Sequence, residues 1–397
     1  MAKPRIAVVS PFLDKRNGTE RSVAECIERL SSEYDIHVYS NRVEDLDLEK
    51  ITWRRVPSIP GPHLLQFSWW FLANHLWRWW DRNFRAQVPE IVFSPGINCL
   101  DADAIHVHVV FAQLREHMKG KLFFSRNPWN SWHQVAHRRI YYSLIASLER
   151  RIYHRAEIPL VAVSRKTAGD LSRFYGRATN VDIAYHGLDL ERFQPARRDA
   201  LRADARRELA LAPGDFALLL IGNDWNSKGL PCLLSAASRL CGTSFSILVV
   251  GRDNTAPFQE TIQKLGLADR VHFLPPRPDV EFYYAAADTY ASPTLEDSFG
   301  LPVAEAMACG LPVITSRAAG VSEIIHSGED GFVLENPEDV EALAGILQEL
   351  AISPQLRKEI AGKAVATARE LTWENTAAHI RAAWELARSE RASQSAK

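Results

Sequence analysis

Residues 292–313 read SPTLEDSFGLPVAEAMACGLPV and place three carboxylates, Glu296, Asp297 and Glu305, between two apolar segments. The first segment has the pattern of a strand end, Gly300 allows a tight backbone turn, and Pro302 suits the first turn of a helix. The stretch therefore predicts a strand, an acidic loop, a helix and a second strand. That order is the repeating unit of a parallel sheet with helices on both faces.

The same alternation runs along the whole chain and restarts once. Apolar strands are expected at 5–10, 35–40, 90–95, 104–108 and 159–164, and again at 216–224, 245–251, 270–275, 288–293 and 310–316. We therefore predict an α/β fold of two Rossmann-like, doubly wound domains that face a central cleft. The expected domains cover 1–190 and 191–372, and a C-terminal helix at 373–397 is expected to pack back on the first domain.

Composition places the chain of 397 residues among soluble globular proteins, because 46% of its residues are hydrophobic and 24% are charged. No apolar run reaches 18 residues, and the run at 6–9 is too short for the core of a signal peptide. The five cysteines are scattered without a C-x-x-C pair, which argues against a disulfide framework and a zinc site. We expect a cytoplasmic protein.

Positive charge and tryptophan are concentrated in the first half of the chain. Residues 1–190 carry 26 Lys+Arg against 20 Asp+Glu, whereas the remainder carries 21 against 28. Eight of the eleven tryptophans also lie in 1–190. This asymmetry indicates a surface partner for the first half, but the positive excess is too small for a nucleic-acid-binding protein.

The segment 67–85, FSWWFLANHLWRWWDRNFR, combines eight aromatic residues with three arginines on a predicted helix. Trp and Arg together suit a membrane interface, where rings lie at headgroup depth and cations meet anionic lipids. Rings on nearly every side of a helix fit burial in a core equally well. The basic clusters at 137–143 and 149–155 favour the membrane interpretation, which would place the protein at the inner face of the cell membrane.

Two stretches of the second half together suggest a ligand. In IGNDWNSKGLPCLL, residues 221–234, Lys228 lies where a strand end passes into a helix, a position suited to binding phosphate. Lysines are also common at helix starts without any such role. Carboxylates beside a phosphate site repel phosphates, so Asp297 and Glu305 are expected to accept hydrogen bonds from hydroxyls. A ligand with phosphates in the middle and hydroxyls at both ends is a sugar nucleotide.

These motifs resemble one family. LEDSFGLPVAEAMACGLPVITS, GNDWNSKGL, HGLDLERF, VAVSRKTAGDLSRFYG and NGTERSV are together similar to the retaining glycosyltransferases of family 4, which have the GT-B fold. The resemblance implies that Asp297 and the backbone after it meet the donor sugar, Glu305 the ribose and Lys228 the diphosphate. It implies a donor-binding set of Gly18, Asn223, Lys228, Ser298, Phe299, Gly300, Leu301 and Glu305, with His108 and Asp297 as the catalytic residues.

The chain departs from the family pattern at two positions. Asp297 stands where the family usually has the longer Glu, although Glu296 is adjacent, and Asn223 stands where the family has an arginine for the phosphates. IGNDWNSKG and PGINCLDADAIHVH resemble the subgroup that adds glucose to the core of lipopolysaccharide. The resemblance thus implies UDP-glucose as the donor and a glycan or glycolipid as the acceptor, with no cofactor.

The N-terminal candidates each have an alternative interpretation. His108 resembles the family histidine that lies near the reacting sugar, but a histidine after a strand can simply be packed. Gly18 resembles a glycine-rich turn near the donor phosphates, but it can be an ordinary turn glycine. Asp101 and Asp103 form a D-x-D pattern, which binds a divalent metal in another glycosyltransferase fold. The second α/β unit and the Asp297/Glu305 block have no place in that fold, so we expect no metal.

The resemblance implies a retaining transfer of a hexose from a nucleotide diphosphate sugar to an acceptor hydroxyl. Three other functions remain open from sequence. A sugar-nucleotide epimerase on the same fold would turn over the donor without an acceptor, and a phosphorylase would need a lysine for pyridoxal phosphate, for which no distinct motif is present. A non-catalytic glycan- or lipid-binding protein would keep the cleft without turnover.

Overall fold

The structure, a computed structural model, describes residues 3–16, 18–85, 88–118 and 132–395. The chain divides into two compact units. The N-terminal unit comprises residues 1–187 together with 373–397, and the C-terminal unit comprises residues 188–372. Each unit is built on a parallel sheet, as the alternating sequence pattern predicts for the α/β class.

The N-terminal unit contains a parallel sheet of seven strands among its described residues, in the order β5-β3-β1-β6-β7-β8-β9. Its strands are β1 (Arg5–Val9), β3 (Asp35–Ser40), β5 (Thr52–Arg55), β6 (Ile91–Pro95), β7 (Ala104–Val107), β8 (Leu160–Ala162) and β9 (Val181–Ile183). A separate two-residue pair joins β2 (Phe12–Leu13) to β4 (Arg42–Val43). The central strands are buried on both faces, which explains their continuous apolar sequences.

Helices cover this sheet: α1 (Gly18–Leu30), α2 (His63–Phe84), α3 (Phe111–His117), α4 (Trp132–Tyr153), α5 (Arg165–Tyr175) and the C-terminal α13 (Trp373–Ser395). The last of these packs against α1 and contributes Trp384, which is fully buried. The Trp384 ring lies edge-on to Tyr34 at 5.2 Å and to Phe93 at 5.3 Å, measured between ring centroids. Residues 373–395 thus complete a core that residues before 188 begin.

The C-terminal unit has a parallel sheet of six strands among the residues described, in the order β12-β11-β10-β13-β14-β15. The strands are β10 (Phe216–Ile221), β11 (Phe245–Val250), β12 (Val271–Leu274), β13 (Thr289–Ala291), β14 (Val313–Ser316) and β15 (Phe332–Leu334). The helices are α6 (Pro195–Glu208), α7 (Leu230–Ala237), α8 (Ala256–Lys264), α9 (Glu281–Ala286), α10 (Leu301–Ala308), α11 (Val340–Ile352) and α12 (Pro354–Ala368), with a 3₁₀ turn at Gly320–Ile324. The order reverses between β10 and β13, so the loops that follow these two neighbouring strands meet at one edge.

The structure differs from the sequence prediction at Gly18 and in several short strands. Helix α1 begins at Gly18, so Gly18 is a helix residue and not part of the glycine-rich turn that the resemblance implied. Glu20 in the first turn suits the positive end of the helix. Strands β5, β9 and β15 were not predicted because they are three or four residues long and carry polar or half-buried side chains.

The aromatic helix α2 is neither wholly buried nor wholly exposed. Trp70, Ala73 and Asn74 pack inward, whereas Trp79 and Trp80 are more than half exposed. Across the described parts of the chain, no helix is both long and apolar enough to cross a membrane.

Candidate functional site

The loop after β10 carries Lys228 to the carboxyl edge of the C-terminal sheet. Gly222 directly follows β10 with φ +148°, and a Cβ placed there would meet the Lys228 side chain at 3.0 Å. The Lys228 amide donates to the Asp224 carbonyl over 3.0 Å, which closes a turn. The lysine chain therefore lies across a glycine that leaves it room.

Hydrogen bonds join this loop to the loop after β13. The Ser227 carbonyl accepts from the Leu295 amide at 2.7 Å and from the Thr294 hydroxyl at 2.9 Å. Gly229, in the loop after β10, has φ +83°. A Cβ at this position would lie 2.0 Å from the Pro293 carbonyl oxygen of the other loop. Only glycine fits so close an approach of two backbones, so the two loops are fixed relative to each other.

The pairing of the loops brings Lys228 and Asp297 into direct contact. The Lys228 Nζ donates to Asp297 Oδ2, and each side chain keeps about 20% of its surface exposed. The Asp297 backbone is fixed as well, because its amide donates to the Ala318 carbonyl and its carbonyl accepts from the Gly320 amide, both over 3.1 Å. A cation and a carboxylate thus lie together at the strand ends, where a ligand can reach both.

Helix α10 begins directly beside this pair. Gly300 precedes it with φ +103°, and a Cβ there would lie 3.1 Å from Val321 and 3.6 Å from Asp297 Oδ2. The Phe299 ring is buried, and its amide donates to Asp297 Oδ1 over 3.3 Å. Ser298, half-buried, and Leu301, the first helix residue, lie on either side of this turn. The positive end of the helix dipole therefore lies next to the Lys228–Asp297 pair.

Glu305 lies on α10 and is almost completely buried, with 7% of its surface exposed. One of its oxygens accepts a hydrogen bond from the Tyr284 hydroxyl at 2.8 Å. Burial, together with the neighbouring Glu305 charge, raises the pKa of Tyr284 well above its ordinary value, so this hydroxyl remains a donor. Sequence reasoning missed Tyr284, because the segment EFYYAA reads only as an apolar helix.

Asn223 connects two neighbouring strand ends. Its side-chain oxygen accepts from the Arg252 amide at 2.9 Å, which ties the loop after β10 to the loop after β11. Both residues are exposed. The chain therefore has an exposed guanidinium, that of Arg252, on the residue next to the position where the family resemblance led us to expect one.

In the N-terminal unit, His108 belongs to a cluster of three histidines. Its ring centroid lies 4.0 Å from that of His106 and 5.3 Å from that of His186, on which it stacks with an interplanar angle of 16°. Both ring nitrogens of His106 and of His108 are buried without a hydrogen-bond partner among the described residues. Burial lowers the pKa of both rings well below the usual range, so both are neutral. His186 was not singled out from the sequence, although it lies in the HGLDLERF motif.

The D-x-D carboxylates are occupied by arginines. Arg78 donates to both oxygens of Asp101 at 2.7 Å, and Asp103 accepts from the Val92 amide at 2.7 Å and pairs with Arg391 at 3.1 Å. Burial tends to raise the pKa of Asp101, but hydrogen bonds from His75 and Arg78 outweigh it and hold that pKa well below its usual range. Within the described ranges, no group of three His, Cys, Asp or Glu side chains is arranged to hold a metal ion.

Comparison with known proteins identifies the family. The family described as Glycosyltransferase Family 4 matches residues 16–192, and Glycosyl transferases group 1 matches residues 202–366. The chain belongs to these glycosyltransferases. The D-inositol 3-phosphate glycosyltransferase of Rhodococcus erythropolis is 34% identical to this glycosyltransferase over 231 residues, which is 55% of the chain and 51% of that relative. The enzyme of the same name from Rhodococcus opacus is 35% identical over the same shares. The chain thus spans about half the length of the curated relatives it matches.

Solved structures establish that this glycosyltransferase has the GT-B fold. WaaG, a glycosyltransferase involved in lipopolysaccharide biosynthesis, superposes with a TM-score of 0.75 at 21% identity, over 95% of this chain and 98% of WaaG. Anabaena HepE in complex with UDP and glucose superposes with a TM-score of 0.69 at 20% identity, over 96% and 99% of the two chains. The expected fold class is confirmed.

Proposed function

We propose that this glycosyltransferase moves a hexose from a nucleotide diphosphate sugar to a hydroxyl of a cell-envelope glycan or glycolipid, with retention at the anomeric carbon. The proposed donor is UDP-glucose and the proposed acceptor is the core of lipopolysaccharide. The observation that carries the proposal is the Lys228–Asp297 pair at the start of α10, because it offers a cation for phosphates beside a carboxylate for sugar hydroxyls. The UDP and glucose complex of HepE and the lipopolysaccharide role of WaaG support these choices.

Donor binding on this proposal is an exchange of partners. The diphosphate takes the Lys228 ammonium away from Asp297, and the sugar hydroxyls then donate to the released Asp297 carboxylate. Glu305 accepts from the ribose hydroxyls and is held in place by Tyr284. A nucleotide without its sugar satisfies Lys228 but leaves a carboxylate beside the phosphates, which costs free energy.

The reaction breaks the bond between the anomeric carbon and the diphosphate oxygen and forms a bond from that carbon to the acceptor oxygen on the same face. The acceptor proton passes to the departing phosphate oxygen. Positive charge develops on the sugar and negative charge on the diphosphate, so Lys228 and the amides at 300–301 stabilise the leaving group electrostatically. His108, neutral at physiological pH, supports the sugar as a hydrogen-bonding group and not as a cation. No step requires a metal, so we expect full activity in EDTA.

The N-terminal unit is proposed to bind the acceptor, and the segment 67–85 with the basic clusters at 137–143 and 149–155 is proposed to contact the inner face of the cell membrane. A second acceptor class is favoured by the relatives, whose name specifies an inositol phosphate. Both acceptor classes present a ring hydroxyl near an anionic group. A direct assay of sugar transfer to each acceptor is therefore needed to distinguish them.

The test is a donor panel followed by a transfer assay with purified full-length protein. UDP-glucose is expected to raise the melting temperature more than UDP or other nucleotide sugars, because a ligand of the native state stabilises it. Transfer is then measured to lipopolysaccharide core acceptors and to inositol 3-phosphate, with and without EDTA. Donor turnover without acceptor would indicate an epimerase, binding without any turnover a non-catalytic protein, and a strict Mn²⁺ requirement a role for Asp101 and Asp103.

A further inference from the structure

A cavity of about 600 Å³ lies in the N-terminal unit between α2, the chain before β6 and α13. Its volume is within the range of small-molecule sites. Its charged lining consists of four arginines and two acids, with His75 beside them: Arg78, Arg82, Arg388, Arg391, Glu90 and Asp101. It belongs to neither the histidine cluster nor the donor site described above.

The ion pairs around the cavity involve three of its four arginines. Arg78 is held by Asp101, and Arg388 donates to Glu90 at 2.8 Å. Arg391 pairs with Asp103, just outside the cavity lining, at 3.1 Å, and also donates to the Glu90 carbonyl. Arg82 is exposed and has no carboxylate partner among the described residues. The cavity therefore carries an excess of positive charge, which complements an anion.

An exposed apolar stripe on α2 leads into this cavity. Leu72, Leu76 and Trp80 follow one another at intervals of four residues, and Trp79 lies three residues after Leu76, so these side chains lie on the same side of the helix. Each is between 48% and 57% exposed, and Trp79 also lines the cavity. A row of large apolar side chains next to a positively charged cavity suits the interface of a membrane, where apolar acyl chains lie beside anionic headgroups.

We propose that the cavity binds the headgroup phosphate of an anionic phospholipid while the stripe at 72–80 lies among the acyl chains of the same membrane. The occupant is a lipid and not a free anion, because the stripe has no role with a free anion. A zwitterionic headgroup carries a cation beside its phosphate, so a neutral bilayer offers Arg82 no net negative charge. This inference rests on the proposed contact of 67–85 with a membrane, but not on sugar transfer.

The test is co-sedimentation of the full-length protein with vesicles of phosphatidylcholine containing 30 mol% phosphatidylglycerol, compared with pure phosphatidylcholine. The wild-type protein is expected to bind the anionic vesicles and not the neutral ones. Arg82→Glu is expected to lower the partition coefficient by about fivefold or more, since each cation near an anionic surface contributes about that factor. Arg55→Glu is the matched control, because Arg55 is an exposed arginine on β5 that does not line the cavity.

The stripe is tested with Leu76→Ser, which is expected to lower binding, against Ile352→Ser, an exposed apolar residue of the C-terminal unit that serves as control. Melting temperature and donor affinity are measured for every variant, so a folding defect or a failed donor site is recognised separately. Equal losses for Arg82→Glu and Arg55→Glu would overturn the cavity site. Equal affinity of the protein for glycerol phosphate and for anionic vesicles would also overturn the proposal. A protein that does not bind vesicles and forms a dimer that Leu76→Ser dissociates would overturn it as well.

Discussion

The Lys228 ammonium contacts the Asp297 carboxylate across 69 residues of sequence, so the two groups expected at opposite parts of one ligand are partners of each other. The pair keeps a cation and an anion ready at the strand ends while each satisfies the other. A ligand that binds both must supply both an anion and hydroxyl donors. This requirement distinguishes a sugar nucleotide from a free nucleotide and from a free sugar.

Lys228→Ala is expected to weaken the binding of UDP and of UDP-glucose by about tenfold or more, because a charge-assisted hydrogen bond to phosphate is lost. Asp297→Asn is expected to bind UDP at least as tightly as the wild type, since the competing carboxylate is gone, and to slow transfer. Calorimetric titration measures both. Lys264→Ala, on the exposed surface of α8, is the control, and an unchanged UDP affinity in Lys228→Ala would contradict the site.

Gly229→Ala is expected to lower the free energy of unfolding by about 3 kcal/mol or more, because the added Cβ would lie 2.0 Å from the Pro293 carbonyl oxygen. Gly242→Ala is the control that separates the steric clash of the added Cβ from the strain of a positive φ. Gly242 also has a positive φ, +72°, but its Cβ would meet nothing within 4 Å. The control is expected to cost about 1 kcal/mol. Chemical denaturation measures both, and equal losses would show that the two loops adjust freely.

Tyr284→Phe is expected to reduce donor affinity by about threefold to tenfold, because Glu305 loses the hydrogen bond that orients it. Tyr283→Phe is the neighbouring control, since the Tyr283 hydroxyl donates to the Pro275 carbonyl and not to Glu305. Both variants are expected to lose about 1 kcal/mol of stability. A similar loss of affinity in both would mean that Tyr284 acts only through packing.

Arg252→Ala is expected to weaken UDP-glucose binding by about threefold to tenfold, because its exposed guanidinium lies on the residue hydrogen-bonded to Asn223. Asn223→Ala is expected to have a smaller effect through the lost tie between the loops. The two variants are compared with UDP-glucose and with glucose alone. Loss of affinity for glucose alone would place Arg252 at the sugar and not at the phosphates.

Glu149 predicts a dependence of stability on pH. Burial raises the pKa of this carboxyl to about 7, although it accepts hydrogen bonds from the Tyr175 hydroxyl and the Phe111 and Ala112 amides. The folded state therefore binds a proton more tightly than the unfolded state, and stability falls by up to roughly 3 kcal/mol as pH rises from about 4.5 to about 7. Melting temperatures across this range are expected to fall less in Glu149→Gln, whereas Glu329→Gln on the exposed surface should match the wild type.

The sequence was sufficient for the parallel sheets because buried parallel strands are continuously apolar. Strand β3, predicted at 35–40, is observed as Asp35–Ser40. Edge strand β5, with the sequence TWRR, shows no such run, since one side of an edge strand meets solvent and tolerates arginine. Strand β12, with the largely apolar sequence VHFL, lies at an edge and was still predicted at 270–275. Strand identity is therefore predictable where the sequence stays apolar and not where an edge strand is polar.

Individual site residues were predictable only as members of motifs. Lys228, Asp297 and Glu305 were recognised from local spacing, but their contacts depend on β10 lying beside β13 in the sheet. That order is not the order of the sequence. The partners Tyr284 and Arg252 have no local signal, because each acquires its neighbour only when distant segments meet. His186 lies in the HGLDLERF motif, but its ring neighbours are likewise distant in sequence. Their structural placement is new information, and their roles stay predictions.

The return of α13 to the N-terminal unit has a consequence for synthesis. The C-terminal unit is one uninterrupted segment, residues 188–372, whereas the N-terminal unit needs Trp373 and Trp384 to fill its core. During translation the N-terminal unit, which is synthesised first, therefore cannot complete its core until the last residues of the chain are made. The segment that emerges second is the first able to bury its whole core, so the order of completion is the reverse of the order of synthesis.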